Sequence, residues 1–142
     1  MFKQIFAISI IVVLLTTALI FSGCAGKAQT GVPGFESISV QEAADLIKAN
    51  ESNPDFIILD VRTPEEFNAG HIQNAINLDY YAANFRIELD KLDKENTYLV
   101  YCRTGMRSGE AMKIMESLGF KEVYNLSAGI SDWISSGFPT TH

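Results

Sequence analysis

Histidine and cysteine are almost missing from this chain of 142 residues: there are two of each, at His71, His142, Cys24 and Cys102. No Cys/His cluster has metal-ligand spacing, so neither a metal nor any other cofactor is expected. A C-x-x-C pair is absent as well, which speaks against disulfide reduction. Positive charge is scarce, with 11 Lys and Arg against 17 Asp and Glu and a formal net charge of -6. No basic stripe is available to neutralise phosphates, and a nucleic-acid partner is excluded on that ground. The sequence also lacks internal repeats and low-complexity segments. Its length suits one domain and is too short for two of ordinary size.

What is present begins with an apolar run. Lys3 gives a weakly positive start, residues 5–21 are interrupted only by Ser9, Thr16 and Thr17, and Ser22-Gly23-Cys24 follows. A charged start, an apolar stretch and a small-residue site describe an export signal over residues 1–23. With its cysteine the segment resembles a bacterial lipoprotein signal, which implies cleavage before Cys24 and acylation of its thiol and new amino group. Phe21 stands where that pattern usually has an aliphatic residue. The run also sits at the low edge of a spanning helix, so an uncleaved N-terminal anchor is the alternative. Either reading delivers the domain to the cell envelope, periplasm or cell surface, and tethers it to a membrane. A stable lipid anchor needs more than one acyl chain, which the lipoprotein modification supplies. Lipid on Cys24 leaves Cys102 alone and excludes a disulfide framework. A solitary thiol in an oxidising compartment is either buried and inert or retained for chemistry.

Residues 24–34 are small, polar and Gly/Pro-bearing and read as a flexible tether. The folded unit is expected over 35–142. A short strand at 36–39 precedes a helix capped by Ser39, with Glu42 completing a capping box and Ala43, Ala44, Leu46 and Ile47 on its apolar face. The apolar run 56–61, interrupted by Asp60, suits a strand covered on both faces. Thr63, Pro64 and Glu66 start a second helix that Gly70 ends. Further strands are expected at 75–78, 97–102 and 123–126, and helices over 81–92, from Ser108 to Gly119, and over 130–136 with Trp133 inward. Strands alternating with helices imply an α/β domain: a mainly parallel five-stranded sheet flanked by helices in three layers. Ligands of such sheets sit beyond the carboxyl ends of the strands, where Cys102 lies.

The segment TYLVYCRTGMRS, residues 97–108, carries the candidate chemistry. An ordinary thiol, with a pKa near ~8.5, is about 3% thiolate at neutral pH. A helix N-terminus is worth ~0.3–1 kcal/mol, against about 1.4 kcal/mol for one pKa unit, so the dipole alone leaves a half-formed nucleophile. Arg103 and Arg107 are expected to add to it as permanent charges. Gly105 lets the loop turn its N–H groups inward, and Ser108 offers a hydroxyl at the helix start. Such a cradle suits a thiolate, a persulfide or an incoming oxyanion. The plain alternative is an inert buried cysteine beside solvated arginines.

Three segments, ILDVRTPEEFNAGHIQNAINL (58–78), YLVYCRTGMRS (98–108) and LGFKEVYNLSAGISDWISSGFP (118–139), occur in order and in register. Together they resemble the single-domain rhodanese family over about residues 35–139. That resemblance implies a sulfurtransferase that takes sulfane sulfur from a donor such as thiosulfate and passes it to a thiophilic acceptor: cyanide, a small thiol or a protein thiol. By position Cys102 is the persulfide-forming nucleophile. Arg103, Thr104, Gly105, Met106, Arg107 and Ser108 form the substrate-binding cradle, with the two arginines as anion-binding side chains. Asp60 and Arg62 are expected to pair with nearby polar groups, Glu66 to cap its helix, His71 to serve the scaffold and Trp133 the core. Two sites depart from the family pattern: Gln73-Asn74 replaces the frequent Pro-Gly, and Ala128-Gly129 replaces the paired glycines before the last helix.

Rival readings follow from the same loop. A cysteine phosphatase or arsenate reductase of related fold has its arginine six positions after the cysteine, on a longer loop. Here Arg107 comes five positions later, which favours a sulfur atom over a tetrahedral oxyanion. A non-enzymatic sulfur carrier or protein-interaction module is the other alternative, and the retained Cys102 argues for chemistry.

Overall fold

The computed structural model describes residues 34–142. The expected export signal, Cys24 and the tether up to residue 33 lie outside the described residues. Strands and helices alternate strictly: β1 (Phe35–Ile38), α1 (Val40–Ala49), β2 (Phe56–Asp60), α2 (Pro64–Asn68), β3 (Ile76–Asn77), α3 (Phe85–Asp90), β4 (Thr97–Tyr101), α4 (Met106–Leu118), β5 (Glu122–Leu126) and α5 (Gly129–Ser135). Both expected capping boxes are formed. Ser39 and Glu42 exchange hydrogen bonds at the start of α1, as do Thr63 and Glu66 at the start of α2, where Pro64 opens the helix.

The sheet runs β1-β5-β4-β2-β3 and every pairing is parallel. Parallel strands cover both faces, and the side chains of β4 divide accordingly. Tyr98 and Val100, with Cys102 just beyond the strand, join Leu59, Val61, Phe85, Leu89, Ala111 and Met115 in a core beneath α3 and α4. Leu99 and Tyr101 join Ile38, Ala43, Ile58, Ile130 and Trp133 in a second core beneath α1 and α5. The result is the expected three-layer α/β arrangement with a five-stranded sheet.

The third helix differs from its expectation. The Phe85, Leu89 and Leu92 spacing points to a helix over 81–92, whereas α3 covers only Phe85–Asp90. Asp79 accepts the Tyr81 N–H on its side chain at 2.9 Å and the Ala82 N–H on its carbonyl at 3.1 Å, and Ala82 in turn accepts the Phe85 N–H at 2.9 Å. The aspartate side chain competes with helix hydrogen bonding and holds residues 79–84 in consecutive turns.

Strand order also places the crevice. The chain leaves β2 toward β3 at one edge and leaves β4 toward β5 on the other side. The segments after β2 and β4 therefore diverge, and an open parallel sheet binds ligands at such a switch point.

Candidate active site

Cys102 is the first residue beyond β4 and is only 1% exposed. The chain turns through Arg103 and Thr104 to Gly105, the left-handed N-cap of α4, at φ +89°. A Cβ at Gly105 would overlap the Ser127 carbonyl, so glycine is required both by dihedral and by space. The turn brings N–H groups round to the sulfur. Gly105 N donates to Cys102 Sγ at 3.2 Å and Ser108 Oγ donates at 3.5 Å. Burial alone would push the thiol up, but the Ser108 hydroxyl and the N–H groups of Ser108, Thr104 and Gly105 outweigh it, and the thiol lies below its ordinary value. Ser108 Oγ is also 3.2 Å from the Gly105 carbonyl. A hydroxyl has one proton, so it serves the carbonyl or the sulfur, and a thiolate draws it to the sulfur.

The cradle residues therefore divide. Cys102, Thr104, Gly105 and Ser108 converge at the sulfur. Met106, 79% exposed, opens α4 at the rim. Arg103 is exposed and its guanidinium has no ion-pair partner among the described residues. Arg107, in contrast, is ion-paired. Its Nη1 and Nη2 donate to Glu66 Oε2 and Oε1 at 2.8 and 2.9 Å, and its guanidinium lies 5.4 Å from the centre of the Tyr81 ring. The hydrogen bonds from Arg107 hold the Glu66 carboxyl well below the usual range, at about 2. The hydroxyl and N–H groups supply the direct hydrogen bonds to the sulfur, and the Arg107 guanidinium acts on Cys102 electrostatically from its pair with Glu66. Glu66 does cap α2 as expected, and it also reaches across the crevice to the α4 side.

The start of α5 supports the loop from below, a role the sequence did not reveal. Ile130 N donates to the Cys102 carbonyl at 2.9 Å and Ser131 N to the Arg103 carbonyl at 3.1 Å. This approach depends on Gly129 at φ +65°, where a Cβ would sit 2.5 Å from the Arg103 carbonyl and 2.6 Å from that of Cys102. The first residue of that pair, Ala128, has φ -105° and needs no glycine. Asn74, at the other departure from the family pattern, has φ +65°, a conformation asparagine tolerates better than other side-chain-bearing residues. The Ala128 departure spares the position that demands glycine, and the Asn74 departure fills a left-handed position with the side chain that tolerates it.

Asp60 and Arg62 pair with each other, Nη2 to Oδ2 at 2.6 Å, and Arg62 also donates to the Gly70 carbonyl at 2.8 Å. His71 stacks on Phe67 and bridges the backbone of Thr141, so it serves the scaffold. Trp133 is buried, with its indole N–H on the Pro139 carbonyl.

Comparison with known proteins agrees with this geometry. The sequence model of the family described as "Rhodanese-like domain" matches residues 39–136. A thiosulfate sulfurtransferase GlpE of Coxiella burnetii is 36% identical over 99 residues, covering 70% of this chain and 87% of that protein. The thiosulfate sulfurtransferase PspE of Escherichia coli is 38% identical over 74 residues, covering 52% of this chain and 70% of that one. Among solved structures, a rhodanese-related protein from Thermoplasma volcanium superposes with a TM-score of 0.64 at 32% identity, covering 75% of this chain and 97% of its own. A thiol cradled at a strand end, the sheet that presents it and these likenesses converge on one assignment: the chain belongs to the rhodanese-like domain family.

Proposed function

We propose that this chain is a sulfurtransferase working through a persulfide on Cys102. One observation carries the reading: Cys102 Sγ sits on the floor of a loop whose N–H groups and Ser108 hydroxyl converge on it and lower its pKa. A thiolate prepared in this way attacks the outer sulfur of thiosulfate. The new bond joins Cys102 Sγ to that sulfur, the bond to the sulfonate sulfur breaks, and sulfite leaves with the electron pair. The outer sulfur of the persulfide then stands ~2 Å above Sγ, toward the mouth of the loop. A cyanide ion, a small thiolate or a protein thiolate attacks it, and Cys102 leaves as thiolate, ready for another cycle. The loop N–H groups stabilise the sulfur anion at both ends of the cycle.

We also infer export and tethering through lipid on Cys24, on the strength of Lys3, the apolar run and the Ser-Gly-Cys site. Intact mass tests both readings. After incubation with thiosulfate, the protein isolated from membranes should gain one sulfur atom, and the Cys102→Ser variant should gain none. The same spectrum should show a cleaved chain with acyl groups on Cys24. No sulfur gain removes the sulfurtransferase reading and leaves the sulfur-independent interaction module.

A further inference from the structure

We propose that Glu66 is a positioning residue that sets the charge selectivity of the active thiol, by offsetting the charge of Arg107 beside it. The inference rests on the sulfurtransferase reading for its biological meaning, although its test does not require sulfur transfer. The sequence places two arginines on the cradle, yet the structure leaves one free. Each terminal nitrogen of Arg107 donates one N–H to Glu66, at 2.8 and 2.9 Å, a bidentate pair that offsets the guanidinium charge and fixes its orientation. The pair is partly shielded, with the two side chains 16% and 30% exposed. It is further enclosed by the Tyr81 ring on the guanidinium. Glu66 is itself fixed, because its Oε2 also accepts the Thr63 N–H at 3.2 Å in the capping box of α2. The carboxylate is thus held in place by the first turn of its own helix and cannot follow Arg107 toward a bound anion without giving up the cap.

The surroundings reinforce the neutralisation. A cavity of about 260 Å³ beside the loop is lined by Tyr80, Met106, Arg107 and Glu110. Its two charged members have opposite sign, and Arg107 is already matched by Glu66. Glu110 is in turn paired with Lys113 at 2.7 Å, so Arg103 is the loop's one cation outside an ion pair among the described residues. The site discriminates weakly between an anionic donor and a neutral or singly charged sulfur compound of similar size. Removing the charge of Glu66 should give the thiol a second cation and a stronger preference for anions.

Paired alkylating agents read this directly. Iodoacetate and iodoacetamide have the same reaction centre and differ by one charge. The ratio of their rates at Cys102, followed by mass spectrometry of the Cys102 peptide, reports the local potential. Glu66→Gln keeps the side-chain acceptor that the capping box uses and removes the charge. We expect the iodoacetate-to-iodoacetamide ratio, in which the thiolate fraction cancels, to rise about fivefold or more, and KM for thiosulfate to fall. Glu66→Gln combined with Arg107→Gln should return the ratio to its original value. Arg103→Gln, at an exposed position that leaves folding intact, should lower the ratio in the otherwise unaltered protein. A folded Glu66→Gln variant with an unchanged ratio overturns the proposal. So does a raised ratio that persists in the double variant, or a preference for the anion that Arg103→Gln leaves undiminished. Failure of sulfur uptake by the unaltered protein would remove the functional reading and leave these ratios interpretable.

Discussion

At the scale of single residues, the site depends on which groups hydrogen-bond the thiolate, and these are the Ser108 hydroxyl together with three N–H groups. The hydroxyl is fully buried, and its other acceptor among the described residues is the Gly105 carbonyl. Ser108→Ala removes a donor from a sulfur anion and leaves burial unchanged, so the thiol pKa must rise. Hydrogen bonds to charged groups are worth ~1.5–3 kcal/mol, and the alkylation rate of Cys102 by iodoacetamide at neutral pH should fall about tenfold or more. Its pH profile should move to higher pH. The plateau at high pH should be no lower, because a more basic thiolate is intrinsically the better nucleophile. An unshifted profile would transfer the stabilisation entirely to the N–H groups. The cysteine and its neighbours were legible in the sequence because Cys102 and Ser108 lie within one strand–loop–helix unit, and local spacing dictates local geometry. The fate of Arg107 was not. Its partner stands 41 residues earlier, and only the order of the strands brings the two together.

At the scale of elements, the active loop is shaped as much by α5 as by the helix that follows it. The α4 end supplies N–H groups to the sulfur, and α5 supplies N–H groups to the carbonyls on the loop's other side. Gly129 is the point of contact. Gly129→Ala combines a strained φ with a Cβ pressed on the carbonyls of Cys102 and Arg103, and neither neighbour is the flexible end of a side chain. We expect a loss of about 2 kcal/mol or more in urea unfolding. Alkylation of Cys102 should slow as well, because relief of the clash must displace the loop. Ala128→Gly, at φ -105°, should change neither by a comparable amount. The sequence showed where α5 begins, and missed its purpose because a glycine before a helix reads equally well as an ordinary turn. The lost first turn of α3 has a related cause. The apolar spacing of Phe85, Leu89 and Leu92 was a sound helix signal, but Asp79 satisfied the preceding N–H groups first.

At the scale of the whole molecule, the two sides of the crevice are secured by different means. The β4 side is held by the sheet centre and by α5. The β2 side ends in Asp60, Arg62 and α2, and its fixed point is the Gly70 carbonyl that receives Arg62. Gly70 and His71 are in turn held by the end of the chain. His71 and Thr141 exchange backbone hydrogen bonds at 2.9 and 2.8 Å, Phe138 packs on Trp133, and the Trp133 indole donates to Pro139. The last residues thus tie α5 to the segment after α2 and close the fold across its face. Deleting residues 138–142 removes four hydrogen bonds, the fourth from Phe138 N to the Trp133 carbonyl at 3.1 Å, at about 1 kcal/mol each, and part of the cover on Trp133. Urea unfolding should register a loss of about 4 kcal/mol. The reaction of Cys102 with iodoacetamide should persist under folding conditions, since the donors to its sulfur all lie between Thr104 and Ser108. A truncated chain that unfolds like the full one would mean that the sheet alone holds the β2 side of the crevice. A truncated chain that stays folded with an unreactive thiol would mean that the two sides are mechanically coupled through Glu66 and Arg107, the one ion pair between α2 and α4 among the described residues.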